Sequence, residues 1–259
     1  MIIRSENGGL TLIPQTEHSQ FVGQLAAHWG SADFAPLEPF ESVVRAATYH
    51  DYGYLNWEPD LPFDASSGLP YEFRKLPTAD RQLGAYQWCI DWLTGVDPYS
   101  GLLVNMHRTG LWRGRYGTIE YPTAFNPKSL QQDVEAFIVR NEARQKEEQS
   151  SQPRDQLWTN YTLLQVWDLL GLYFGCAEPG EDYVEPVPRS YDGKSCRMSM
   201  RALGGGQVAF DPYPFDQRPL RVQIACRRVP ESTYPDEASF RKAYYQAPQE
   251  LLEYELVPG

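Results

Sequence analysis

Imidazole and carboxylate side chains able to bind a metal recur along the chain at positions typical of inward helix faces. Only four histidines occur in 259 residues, and His18, His50 and His107 each lie at helical spacing from apolar residues. Asp51 directly follows His50, and Asp168 interrupts the apolar stripe of a late helix. Burying an acid among imidazoles is costly unless a cation compensates its charge. The sequence therefore predicts a metal site formed by these five residues.

The types of ligand indicate which metals the site would hold. Imidazole with carboxylate suits a divalent Fe, Mn, Co, Ni or Zn ion, and five candidate ligands are enough for one or two ions. Structural explanations remain open beside this one. His18 and His107 could be hydrogen-bonded core histidines, and Asp168 could pair with an arginine such as Arg45. The His-Asp doublet could simply end a helix and begin a turn.

Helical periodicity dominates the first two thirds of the chain. Apolar residues recur at three- and four-residue steps in six segments, at about 16–29, 39–51, 79–94, 98–112, 130–149 and 155–174. The segment 130–149 is so polar that we expect a solvated face. Residues 53–78 hold four prolines and no sustained period, which predicts a long ordered loop on the substrate side or, alternatively, a packed connector.

The last third changes to the two-residue alternation of half-buried strands, at 196–202 and at 220–226. The opening residues, MIIRS and GLTLIP around Asn7, read as a hairpin. We therefore predict an α+β fold with a mainly helical core over residues 14–178. Residues 1–13 and 179–259 would form a β-rich appendage, a small antiparallel sheet made by the hairpin and the C-terminal tail.

Composition limits the classes of partner. The net charge of −11, without any Lys/Arg cluster, argues against nucleic acid and for a small-molecule substrate. No apolar run approaches the roughly 20 residues that span a membrane, and the N-terminus lacks the pattern of a signal peptide, so we expect a cytoplasmic protein. The four scattered cysteines indicate reduced thiols. The sequence leaves open whether the protein forms a homodimer.

The order of the candidate ligands resembles the HD-domain superfamily, which has a histidine on an early helix, a His-Asp doublet on the next and a distant aspartate. Here these are His18, His50-Asp51 and Asp168, separated by 32 and 117 residues. The segments HDYGYLNWEPD, GLLVNMHRTGLW, LLQVWDLLGLYF and VAFDPYPF also resemble a bacterial family known as domain of unknown function 3891. The superfamily resemblance implies that the helical core is HD-like.

The superfamily resemblance also implies a phosphohydrolase, in which a metal-activated water attacks phosphorus. Arg74, Lys75 and Arg108 near the predicted mouth would bind phosphate, unless they are ordinary surface charges. Glu58, Asp60 and Asp64, in the loop that follows the His50-Asp51 doublet, are candidate proton donors, with solvated acids as the alternative.

Two other functions remain open. Within the same superfamily, a di-iron oxygenase would use His107 as a ligand of a second metal, although the usual second histidine is missing. Aromatic side chains in the loop would then line a pocket for an organic substrate: Tyr52, Tyr54, Trp57, Phe63, Tyr71 and Phe73. The third possibility is a non-catalytic binding module that keeps a structural metal.

Overall fold

The computed structural model describes residues 1–6, 8–74, 79–113 and 131–259. The α-helices of this part are α1 Gln15–Ala27, α2 Phe40–Tyr49, α3 Ala79–Val96, α4 Pro98–Trp112, α5 Gln131–Gln149, α6 Arg154–Cys176 and α7 Glu237–Gln246. The first six confirm the helices predicted from periodicity. None of the described helices combines the length and apolar character needed to cross a membrane.

Prolines mark where several helices begin. Pro14, Pro39 and Pro153 directly precede α1, α2 and α6, and Pro98 is the first residue of α4. Proline suits these positions because its missing N–H would have no intrahelical acceptor there. The starts of the helices that carry the candidate ligands are therefore defined locally by the sequence.

The described residues of the loop after α2 contain short ordered elements. Two 3₁₀ helices, Tyr52–Asn56 and Glu58–Asp60, are followed by a two-residue hairpin of β3 Phe63–Asp64 and β4 Leu69–Pro70. Several of its aromatic side chains pack against the hydrophobic core, Tyr54 being 1% exposed. Lys75 lies outside the described residues.

One large sheet contains the remaining described strands. They are β1 Ile2–Glu6, β2 Gly9–Ile13, β5 Glu181–Pro188, β6 Ser195–Gly204, β7 Gln207–Asp211, β8 Leu220–Val229 and β9 Gln249–Pro258. Their order is β1-β2-β8-β9-β7-β6-β5, and the sheet is curled into a half-barrel. β9 runs antiparallel to β8 but parallel to β7, so the sheet is mixed.

The predicted fold class is therefore wrong. The hairpin and the tail do share a sheet, but this sheet has seven strands, includes a parallel pair, and is not a small addition to an HD-like helical core. Helix α1 packs on β8, and α6 packs on β1 and β5. For example, the ring centroids of Phe174 in α6 and Tyr254 in β9 are 4.7 Å apart. Most inward side chains of the strands thus belong to the same hydrophobic core as the helices.

Helix α5 docks on α4 through hydrogen bonds rather than through an apolar stripe alone. Gln145 donates to Asn105 Oδ1 at 2.9 Å and to Thr109 Oγ1 at 2.8 Å, and all three side chains are buried. Asn141 donates to Gln87 Oε1 at 3.0 Å on α3. Because buried polar groups need partners, this network holds α4 in one position against its neighbours.

Candidate metal centre

Three helices bring His18, His50 and Asp168 to one buried point. His18 lies in the first turn of α1, His50 follows the last residue of α2, and Asp168 lies in the middle of α6. One ligand atom from each lies within 4.8 Å of the others, and the three residues are at most 6% exposed. We call this set the His/Asp cluster; its members are three of the five predicted ligands.

The hydrogen bonds of His50 leave its Nε2 atom available to the cluster. Nδ1 lies 2.8 Å from the carbonyl oxygen of Ala47 and 3.2 Å from Ser19 Oγ. A carbonyl only accepts, so Nδ1 carries the proton and Nε2 carries the lone pair. Burial lowers the pKa of His50 to about 4, despite the opposing effect of Asp168. The imidazole is therefore neutral near pH 7, which is the metal-binding form.

Asp168 connects the imidazoles through both of its oxygens. Oδ1 lies 2.7 Å from His18 Nε2 and 3.4 Å from His50 Nε2, whereas Oδ2 lies 3.4 Å from His107 Nε2. Burial opposes ionisation of this carboxyl. The interactions of this carboxyl with His107, His18 and His50 outweigh that effect and hold the pKa of Asp168 well below its usual range. Asp168 is therefore a carboxylate.

His107 of α4 lies beside the cluster. It is fully buried, and its ring centroid is 5.3 Å from that of His50 at nearly a right angle. The 3.4 Å distance from its Nε2 to Asp168 Oδ2 places a third imidazole on the second oxygen of the carboxylate. Helix α4 thus contributes to the site, together with α1, α6 and the end of α2.

Asp51 lies at the edge of the cluster and forms an ion pair with Arg108. Its Oδ1 contacts the Arg108 guanidinium, and its Oδ2 accepts from Gln15 Nε2 at 3.1 Å and lies 3.6 Å from His50 Nε2. Arg108 also donates to the carbonyl oxygen of His50 at 3.1 Å and lies over the Tyr86 ring at 4.2 Å. Burial lowers the pKa of Arg108 to about 10, so it remains a cation near pH 7.

The other three predicted catalytic residues are fixed by local or helix-capping contacts. Glu58 is buried and accepts from the backbone N–H of Gln15 at 2.7 Å, which places its charge at the N-terminus of α1. Asp64 accepts from Ser66 N at 2.9 Å within a turn. Arg74 pairs with Glu72 at 2.6 Å.

Gly171 is a site residue that the sequence reasoning missed. It lies on α6 three residues after Asp168, and a Cβ built on it would be 2.5 Å from His18 Cε1 and 2.7 Å from Val22 Cγ2. The space that Gly171 leaves empty therefore admits the His18 ring. A glycine inside a long helix, one turn from a buried aspartate, was the available signal.

Gln15 and Tyr86 were also missed. Gln15 links Glu58 through its backbone to Asp51 through its side chain, and Tyr86 supports the guanidinium of Arg108. Their roles depend on contacts between residues that are distant in sequence, so no local pattern indicates them.

No curated protein and no solved structure matches the chain. Residues 1–231 match a protein-family model whose description reads "Protein of unknown function (DUF3891)". The matched range includes all four helical positions that contribute to the site, together with strands β1 to β8.

Proposed function

The chain belongs to the DUF3891 family of proteins of unknown function, and we propose that it is a metal-dependent hydrolase of small phosphorylated molecules or nucleotides. One observation carries the proposal: two imidazoles and a carboxylate from three separate helices converge in a buried site with their ligand atoms within 4.8 Å. Such groups are rarely buried together without a cation to compensate them.

The residues fit a first-row divalent metal. Ligand bonds to such ions are about 2.0 to 2.2 Å long, so two ligand atoms of one ion lie at most about 4.4 Å apart. The ligand atoms of the cluster, which lie within 4.8 Å of one another, would need to move only slightly closer to bind one ion. His50 Nε2 is buried and makes no hydrogen bond to any described residue, as expected of an atom that binds a metal. His18, His50 and Asp168 would hold the ion, with Asp51 and His107 beside it.

The charges of the site favour one ion over two. Asp51 and Asp168 are carboxylates, Arg108 is a cation, and histidines that bind metal are neutral. The site therefore carries one net negative charge before metal binds. One divalent ion leaves it with a single positive charge, whereas two ions leave it with three, which is costly in a buried site. A mononuclear site suits a hydrolase better than a di-iron oxygenase.

When bound, a divalent ion supplies Lewis acidity and an acidified water. The chain's own residues would orient the groups of the site and transfer protons. Asp168 holds His18 and His107 in fixed orientations through its two oxygens. His107 Nε2, beside the cluster, is suitably positioned to take up or deliver a proton during hydrolysis.

We extend the proposal to a site of HD type. It is supported by the ligand order, because His18, the His50-Asp51 doublet and Asp168 follow one another on α1, the end of α2 and α6. The second candidate function remains the di-iron oxygenase of the same superfamily. The proximity of His107 to Asp168 favours it, since a second ion would need a ligand there.

Elemental analysis of protein purified without added metal tests the proposal. We expect about one Mn, Fe, Co, Ni or Zn per chain, and hydrolysis of a chromogenic phosphate ester by the loaded protein. His50→Ala should lose the metal, whereas His28→Ala, at a partly exposed histidine paired with Asp216, should keep it. About two irons per chain would favour the oxygenase. Wild-type metal content in His50→Ala would refute the site.

A further inference from the structure

The guanidinium of Arg108 is buried next to the His/Asp cluster with part of its hydrogen-bonding capacity unused. Its Nη2 engages Asp51 and the carbonyl oxygen of His50. Its Nε is buried and has no hydrogen-bond partner in the part of the chain that the structure describes. A buried N–H without an acceptor is costly, so the site is incomplete as the protein alone supplies it.

Arg108 is also held rigidly. The Tyr86 ring lies 4.2 Å below the guanidinium, and the Tyr86 hydroxyl is itself fixed by Tyr54 at 2.9 Å and by Gln82 at 2.9 Å. Asp51 holds the guanidinium from another side. A planar cation fixed in this way is well suited to recognising an oxyanion, because little conformational freedom is lost on binding.

The charge of the loaded site indicates the same class of ligand. With one divalent ion bound, the site carries a net positive charge that an anion would neutralise. Arg74, the other arginine expected to bind phosphate, is partly exposed and already paired with Glu72. Among the described residues, Arg108 is thus the better placed of the two for this role.

We propose that Arg108 binds an oxyanion group of the substrate, a phosphate or a carboxylate, directly beside the metal. Arg108 is then a substrate-binding residue and not only the counter-ion of Asp51. The position of the group relative to a metal rests on the proposed function, but recognition of the anion by Arg108 does not.

The experiment is a calorimetric titration of inorganic phosphate, and separately of acetate, into the Mn²⁺-loaded protein and into the EDTA-treated protein. We expect Arg108→Gln to weaken anion binding roughly ten- to a hundredfold, the effect of losing a hydrogen bond to a charged group. Arg113→Gln is the matched control, since Arg113 caps the same helix but pairs with Glu135 and Glu142. Preference for phosphate or for acetate identifies the anion.

Arg108→Lys provides a second variant in case Arg108→Gln fails to fold, because it keeps the charge but lacks the Nε donor and the planar geometry. It should also weaken binding. Anion binding that depends on Arg108 and has the same affinity with and without Mn²⁺ would support this inference while contradicting a metal directly beside the anion. The inference is overturned if the wild-type protein binds neither anion, or if both Arg108 variants bind with unchanged affinity.

Discussion

Gly171 and His18 share one space between α6 and α1, since a Cβ on Gly171 would lie 2.5 Å from His18 Cε1. Real Cβ atoms do not approach other atoms this closely, so any larger residue must move the imidazole. The glycine therefore positions a candidate metal ligand without touching the metal itself.

Gly171→Ala should lower metal affinity at least about tenfold and destabilise the fold by about 1 to 3 kcal/mol, the usual cost of overpacking. Both quantities can be measured by metal titration and by urea unfolding of the metal-free protein. Gly84→Ala on α3 is the matched control, because no atom lies within 4 Å of its added Cβ. That change should stabilise the helix by up to about 1 kcal/mol and leave metal binding intact. Equal effects of the two substitutions would contradict this role for Gly171.

His107→Ala separates the two candidate chemistries. If His107 transfers protons in a hydrolase, metal content should stay near one ion while phosphate-ester hydrolysis falls roughly 10²- to 10⁴-fold. If it binds a second ion, metal content should fall from about two to one, with loss of oxygen-dependent activity. His28→Ala again serves as control. Unchanged metal content with unchanged turnover would make His107 a core histidine only.

The stability of the metal-free protein should depend on pH through His50. Its pKa is about 4 in the fold and about 6.5 in the unfolded chain, so between these values only the unfolded state binds the proton. Stability therefore rises with pH across this window and is lost on acidification. From about pH 7 to about pH 5 the His50 contribution should fall by about 2 kcal/mol.

Denaturant unfolding of EDTA-treated wild type and His50→Gln at both pH values measures this contribution. The free energy of unfolding of the variant should depend less steeply on pH, by the equivalent of about one proton taken up on unfolding. Asp168 does not obscure the result, since its lowered pKa affects stability only below its unfolded value of about 3.9. Identical slopes would mean that His50 is not buried as a neutral imidazole.

The sequence predicted the helices and the residues of the site better than the sheet. Apolar spacing around His18, His50 and Asp168 reports which helix face is inward, and inward polar groups on separate helices tend to meet. β5 was not recognised because Pro186 and Pro188 argue against a strand, although an edge strand tolerates them. The insertion of β9 between β8 and β7 depends on tertiary packing, which alternation within a strand cannot report.

The roles of individual side chains were also predictable only where they depend on residues close in sequence. Glu58 lies 43 residues from Gln15, and its contact with the first turn of α1 exists only because the loop folds back. Asp64 belongs to a local turn with Ser66 and Ser67, a pattern that its sequence DASS could have indicated. The sequence can predict such local turns, whereas it does not indicate contacts between distant segments.

The Asp51–Arg108 pair can be tested by a double-mutant cycle. Either Asp51→Asn or Arg108→Gln leaves one buried charge uncompensated, and each should destabilise the metal-free protein by about 3 to 5 kcal/mol. The double variant removes both charges and should cost clearly less than the two single changes together. Urea unfolding at neutral pH should therefore give a coupling of about 1 to 3 kcal/mol. Arg45→Gln with Asp97→Asn is the comparison, since that pair is partly exposed and should couple less strongly. Strict additivity at Asp51 and Arg108 would mean that the two charges are solvated independently, and the charge balance that favours a single metal ion would no longer hold.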